Sequence, residues 1–599
     1  MDNKDVIVHY EREAGSESSS NDHTKEEHAA AWEKSSTDIA QKGAHEDSLT
    51  LREVFTGRVV LSILFLGLAY SEAIGFLLFA SLLVTEYNTH FNSTNGSWVP
   101  ISVITAATVM FSIWGRWSDI LGRRYIFLIA NVIGVVASIV AATAQSINAL
   151  IAGCVLAGVA NAGNQLSIAA VTELLPNRYK SFGIGVTGAL ILPTQFAPLI
   201  AGSFVDHYAI GWRGCWWVMV GLCGVVFIGL LLVYFPPKGA EMSDSEELHK
   251  GVKYELRHFD WVGVILLAGS LVSVLLGLQW GGSHYPWKSA RVICTIVIGG
   301  LGLVGFGLWE SLAIPKIPLI SLELMKMVRG FVIPAIAIAT SAMSYYAMNI
   351  IWPLIISSLF TTSAQTASYY QMASPTVSTI VSLIFPPIAQ RIGHYKWQAV
   401  FYTICQGAIT AAMAATTEHT KVMSTAFLAI SVAFLTCGTL CMQLCLATQV
   451  PPRLLGSAFG LAGAARQFMG SVVSAIYITI LNNGLTDNIP KDVSAAALET
   501  GLPQTSLVSL LSALGTNDPP AIAAVPGITP AILEAVGRAT KKAYRDSFKT
   551  IFFVSIAFSV ICTATACFIK DFNDKNTDNH VELKVNSADK QEEQTSDKA

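Results

Sequence analysis

The chain has 599 residues, of which 52% are hydrophobic and only 13% charged, with a formal net charge of −3. A soluble chain carries about a quarter charged residues, so this composition excludes a soluble globular protein and points to one threaded repeatedly through a membrane. No basic tract suggests a nucleic-acid partner, and the small net charge is set by polar termini.

Residues 1–57 are polar and charged, carry no cleavable signal peptide, and are expected to form a disordered cytosolic tail. About twenty apolar residues span a bilayer as a helix. On that measure roughly fourteen spans follow: 59–84, 98–114, 125–144, 149–171, 182–204, 214–235, 261–280, 291–313, 330–357, 367–388, 397–417, 422–447, 456–481 and 547–569. Residues 570–599 are expected to be a second disordered cytosolic tail. Lysine and arginine favour cytosolic loops. With a cytosolic N-terminus, short inner loops hold fifteen of them, from Arg116 to Arg453, against Arg213, Lys288 and Lys421 outside. The sequons at Asn92 and Asn95 fall in an outer loop, so both are candidate N-glycosylation sites. All ten cysteines lie within or beside apolar spans, away from an oxidising loop, and no disulfide framework is readable.

In the first span, Glu72 is the one charged residue between Val59 and Val84. A charge at bilayer depth costs roughly 2.5–3.5 kcal/mol, so it marks a functional site by default. Burial disfavours the charged form of a carboxyl, and a group near that balance can take up and release a proton with access to either side. Glu72 is therefore the candidate proton-coupling group, with a structural carboxyl bonded to a neighbouring helix as the alternative. Arg466, in the thirteenth span, is the only lysine or arginine well inside a span. It needs a carboxylate, carbonyls or a substrate anion, or else it serves as helix-packing glue.

Between the second and third spans runs Gly115-Arg116-Trp117-Ser118-Asp119-Ile120-Leu121-Gly122-Arg123-Arg124. Gly115 and Gly122 allow a tight turn, and Asp119 can pair with Arg123, Arg124 and a helix end to make a cytosolic latch. The stretch closely resembles the GxxxDxxGRR signature of the major facilitator superfamily. A weaker copy, Gln390-Arg391-Ile392-Gly393-His394-Tyr395-Lys396, lies 271 residues on, with Gln390 in place of the acid. Pro176-Asn177-Arg178 is echoed by Pro451-Pro452-Arg453 at an offset of 275. Such parallel halves suit a transporter built from two six-helix bundles.

In the fifth span, Ala197-Pro198-Leu199-Ile200-Ala201-Gly202 resembles the antiporter motif GPxxGG of that superfamily, which implies export and assigns Pro198 and Gly202. Trp212-Arg213 resembles a pair found in the fourteen-helix drug:H⁺ antiporter branch. Phe259-Asp260-Trp261-Val262-Gly263, Leu278-Gln279-Trp280-Gly281-Gly282, Tyr285-Pro286-Trp287, Ile392-Gly393-His394-Tyr395-Lys396-Trp397, Gly463-Ala464-Ala465-Arg466 and Ser474-Ala475-Ile476-Tyr477 narrow the likeness further. They are similar to the fungal trichothecene efflux pump family, whose relatives include siderophore-iron transporters. The resemblance covers residues from about 55 to 575. One departure stands out: Cys154-Val155-Leu156-Ala157-Gly158 lacks the span-four arginine that many proton-coupled antiporters carry.

The resemblance implies an all-α integral membrane protein of the major facilitator fold. It divides the chain into an N-terminal six-helix bundle at 58–235, a cytosolic loop with two linker helices at 236–313, and a C-terminal bundle at 314–569 that includes a long outer loop, 482–546. Spans one, four, nine and twelve would wall the cavity, offering Asn161, Asn164, Gln165, Tyr345, Tyr346, Asn349 and Gln443. Amides and aromatics suit a large, uncharged, oxygenated molecule, while interhelical bonding is the alternative for each. The outer loop contains alanine-rich stretches compatible with helix among its prolines, and it is read as a gate or an inert ordered cap.

A membrane oxidase would need clustered histidines, but all twelve lie outside the spans. No phosphate-binding loop supports an ATP-driven pump, no metal or cofactor is expected, and a non-transporting receptor would not need the latch. The sequence therefore reads as a non-enzymatic secondary transporter, a monomer in a fungal plasma, vacuolar or vesicle membrane. It would export a hydrophobic metabolite or toxin against protons, with siderophore-iron import as the rival.

Overall fold

The computed structural model describes residues 54–93, 95–236, 257–282, 285–312, 317–361, 364–516 and 525–570. The expected tails lie outside these residues, with one difference. Val54 is buried, and the Phe55 ring packs edge-on against Tyr179 and Phe182 at 5.6 and 5.9 Å, so ordered structure begins before residue 57.

Among the described residues, thirteen helical stretches are long and apolar enough to cross a membrane, and a fourteenth falls short of that measure. The first six are α1 (Gly57–Leu82), α2 (Trp98–Leu121), α3 (Arg123–Ala142), α4 (Ile147–Gln165, continued by Ser167–Leu174), α5 (Asn177–Ala189) and α6 (Arg213–Val233). Two more, α7 (Trp261–Trp280) and α8 (Ala290–Leu312), form a hairpin. Then follow α9 (Ile333–Ile355), α10 (Ala373–Ile392), α11 (Tyr395–Ala412), α12 (Lys421–Gln449), α13 (Leu455–Glu499) and α14 (Pro530–Cys567). The predicted span 397–417 corresponds to α11, an 18-residue helix that falls outside the thirteen candidate membrane spans.

The fifth predicted span, 182–204, is not one helix. α5 stops at Ala189, and the short helices Leu192–Gln195 and Ala197–His207 complete the crossing, with Pro193 and Pro198 in their first turns. A proline there gives up only amides that lack helical partners anyway.

A second correction concerns 482–546. α13 runs 45 residues and α14 runs 38, about 67 and 57 Å at helical rise, roughly twice the bilayer core. The expected loop is therefore largely two helical extensions joined through the short helix Leu507–Thr516. Val493, Ala497, Leu510, Ile532 and Val536 give the protrusion a small apolar core of its own.

The α7–α8 hairpin packs on α2 through Phe259, Leu267, Leu271 and Phe306 against Val109 and Ile113. Asp260 caps α7, accepting from the Gly263 amide at 2.8 Å, and also accepts from the Trp309 indole on α8 at 3.0 Å. Thus a recognition motif of the sequence is the clasp that closes this hairpin.

The cores reveal how the halves sit. At the end bearing Asp119, one continuous apolar core draws residues from both halves, from Leu66 and Phe127 to Met442 and Ala566. At the opposite end the halves keep separate cores, one around Phe79, Tyr87 and Trp216, the other around Trp352, Tyr477 and Phe552. There they meet through the segments Ala197–His207 and Ala364–Gln371.

Candidate transport site and inter-half latch

Glycines set the seam between the halves. A methyl group added at Gly115 on α2 would fall 2.9 Å from the Gly460 Cα on α13, and one at Gly463 would fall 2.6 Å from the Phe111 ring. The second seam repeats this between α5 and α10: Gly185 lies against Pro386 and Ser382, and Gly188 lies against Ser382. Gly115 belongs mid-helix, not in the turn expected for it. Gly122 alone makes that turn, with φ of 91° after the end of α2. Gly202 has open space around it, so the close approach expected of the span-five motif occurs at Gly185 and Gly188 instead; Pro198 is half-buried.

The latch residues converge at the first seam. Asp119 on α2 accepts from the backbone amides of Gly456 (3.0 Å) and Ser457 (2.7 Å) in the first turn of α13, and from the Ser457 hydroxyl. A helix N-terminus carries partial positive charge and free amides, so it suits a carboxylate. Arg123 lies 2.6 Å from Asp119 and 2.5 Å from Glu173 at the end of α4, and it also donates to the Pro452 carbonyl of the other half at 3.3 Å. Arg124 does not join them. It donates to the Leu231 carbonyl at 2.8 Å and lies 3.7 Å over the Phe235 ring. Glu173 was missed from sequence because it sits two residues beyond the predicted fourth span; an unpaired acid beside a basic inner loop was the available signal.

Glu72 is fully buried, and the partners found for it all belong to the N-terminal half. Its Oε2 accepts from the Asn164 amide on α4 at 2.9 Å, and the Cys223 thiol on α6 lies alongside. Asn131 on α3 donates to Asn164 Oδ1 at 3.1 Å, completing a polar cluster across four helices. Asn161 donates to the Ala73 carbonyl, and half-buried Gln165 donates back to Asn161 at 2.7 Å. Asn161 and Asn164 therefore bond helix to helix rather than lining a cavity.

Arg466 is the charge that stands between the halves. It lies beside Tyr70 of α1, with its guanidinium carbon 5.4 Å from the Tyr345 ring of α9, and Glu72 is not its partner. Tyr345 and Tyr346 stack edge-on at 5.6 Å, and the Tyr346 hydroxyl donates to Gln467 at 2.5 Å. Gln443 is buried on α12 beside Cys437, Cys441 and Cys445, which pack in the shared core. The side chain of Asn349 lies outside the described residues. Asn92 and Asn95 are exposed at the end away from Asp119. Among the described residues, no group of three His, Cys, Asp or Glu side chains gathers as a metal site would require.

Two helical halves with a repeated seam and a buried charged centre define a transporter of the major facilitator superfamily. Solved structures share the fold: the human organic anion transporter MFSD10 (TETRAN) superposes with a TM-score of 0.50 at 12% identity, over 84% of this chain and 99% of that one. The profile of the fungal trichothecene efflux pump (TRI12) family matches residues 56–598, and the chain belongs to that family. Among its relatives is the trichothecene efflux pump TRI12 of Fusarium sporotrichioides, 27% identical over 81% of each chain. Another is the MFS-type transporter prx5 of Penicillium rubens, 27% identical over 80% of this chain and 90% of that one. The protein is a multi-pass membrane transporter of the efflux type, acting on small molecules, and not an enzyme.

Proposed function

We propose that the protein exports a hydrophobic, oxygenated metabolite of the trichothecene type by proton antiport, through alternating access, from the cytosol of a fungal cell. The observation that carries this reading is the repeated seam, which joins the halves at the Asp119 end while their cores stay separate at the other. Rocking about such a seam exposes a central space to one face at a time. The excess of basic loops at the Asp119 end supports a cytosolic placement of that end, which would leave exposed Asn92 and Asn95 outside and open to glycosylation. Family membership favours export over siderophore-iron import.

Glu72 is the proton carrier in this scheme. Its partners Asn164 and Cys223 both lie in the N-terminal half, so proton uptake acts by changing how α1 packs on α4 and α6. The loss of a buried charge alters that packing free energy and biases the two states.

Inside-out vesicles bearing the protein in a plasma-membrane preparation test the reading. With an acid interior, they should accumulate a radiolabelled neutral trichothecene, and a protonophore should abolish the uptake. Uptake that ignores the pH gradient rules out antiport; absence of uptake rules out the substrate class.

A further inference from the structure

Arg466 lies about 16 Å along α13, near mid-depth of a bilayer core about 30 Å thick. Tyr70 and Tyr345 lie at similar depth in α1 and α9. An arginine offers five donors and no acceptor, and it stays charged in any protein environment. Among the described residues, no carboxylate comes within ion-pair distance of it. One face is taken by the Tyr345 ring, and the Tyr70 hydroxyl lies beside it.

Two facts set this residue apart from helix-packing glue. First, its neighbours come from both halves: Tyr345 from its own and Tyr70 from the other, so rocking breaks or reforms one side of its environment in every cycle. A fixed interhelical bond cannot be the whole of its role. Second, part of the side chain stays accessible, and the neighbours found for it are tyrosines, which leave some of its five donors without an acceptor of matching charge. Buried charged donors are kept where acceptors reach them.

We infer that Arg466 is the polar anchor of the transported molecule, and that this molecule is hydrophobic with at least one acceptor oxygen, as an ester, ketone or carboxylate. The inference rests on the proposed alternating-access reading for the change around Arg466 and for the direction of transport; the binding chemistry itself rests on the guanidinium and the rings beside it. Tyr345 and Tyr346 supply flat apolar surface beside the anchor, and Tyr70 closes the site from the opposite half. A guanidinium serves neutral carbonyls and carboxylates with the same fork, whereas an ammonium is a point charge.

The test uses the full-length protein in lipid nanodiscs and three probes on one tricyclic skeleton: abietic acid, methyl abietate and abietadiene. Equilibrium binding is measured against empty nanodiscs. The wild type should bind the acid and the ester more tightly than the hydrocarbon. Arg466→Gln should weaken both oxygenated probes by about tenfold and leave the hydrocarbon unchanged. Arg466→Lys, which keeps the charge and guards against a folding defect, should hold the acid better than the ester. Equal weakening of all three probes, or none, overturns the inference. Intact selective binding without flux in vesicles sinks the export reading alone.

Discussion

Gly115 on α2 lies against Gly460 on α13, and the sequence offsets of 271 and 275 residues map this pair onto Pro386 and Gly185, which are also in contact. Phe111 and Gly463 map in the same way onto Ser382 and Gly188. The two seams are thus one contact used twice, and each sets glycines where the helices cross. Gly460→Ala places a methyl group against the Phe111 carbonyl and the Gly115 Cα. Overpacking of this kind costs about 1–3 kcal/mol, charged entirely to the state closed at the Asp119 end. Cys441 lines a small cavity beside the second seam, with Ile184, Phe385 and Leu444. With Cys441 as the sole cysteine, Gly460→Ala should raise its maleimide labelling rate at least fivefold. Unchanged labelling would mean that the seam does not hold that end shut.

The seams differ in charge. Asp119 ties the first to the α13 N-terminus, whereas Gln390 stands at its mapped position in the second. Asp119→Asn leaves Arg123 paired with Glu173 but gives up a carboxylate held by two backbone amides. The closed state should lose about 1.5–3 kcal/mol, on the scale of hydrogen bonds to charged groups. Turnover in vesicles should fall roughly tenfold while equilibrium probe binding stays the same. Equal loss of binding and turnover points to misfolding rather than a latch, and normal turnover removes the latch role. Gln390→Asp is the complementary variant and should slow opening by adding an acid to the second seam.

Helical content, the parallel repeat and the contact of Asp119 with a helix end were legible because each rests on local rules: apolar run length, charge in short loops, and a motif tied to a helix end. What failed was orientation around each helix. Glu72 and Arg466 are each singular charges in apolar spans, yet one points into its own half and the other between halves. Run length carries no such angle, and α1 is apolar on nearly every face. Asn161 and Asn164 share a face as expected, but that face meets α1 directly. The length of the protrusion was obscured because its prolines argue for a loop, although its alanine-rich stretches are compatible with helix and Pro530 starts α14.

For Glu72 the conservative replacement separates charge from shape. Glutamine keeps an oxygen for the Asn164 amide, so Glu72→Gln should fold and reach the membrane as the wild type does. It cannot exchange a proton, and export should lose its dependence on an imposed pH gradient. Glu72→Leu instead strands the Asn164 donor in an apolar interior, which costs about 1–3 kcal/mol and should lower thermal stability. Retained pH dependence in the glutamine variant dismisses Glu72 as the proton carrier.

The protrusion formed by the ends of α13 and α14 has its own test, because its core is separate from both halves. Leu510 is fully buried there, against a surface that includes Val493, Ala497 and Val536. Leu510→Ala should cost about 2–5 kcal/mol within that small core. The extension also holds Lys542 to Asp492 at 2.9 Å, an exposed pair too weak to compensate. Local opening should follow, since few other apolar contacts oppose it. Limited proteolysis between 500 and 530 should accelerate strongly, while probe binding at Arg466 and the seam contacts near Gly460 stay intact. If export then continues at the wild-type rate, the extension is an inert cap; if export fails while binding persists, its packing controls release. Global loss of stability in Leu510→Ala contradicts an independently folded extension, because damage confined to its core would then have reached the bundles.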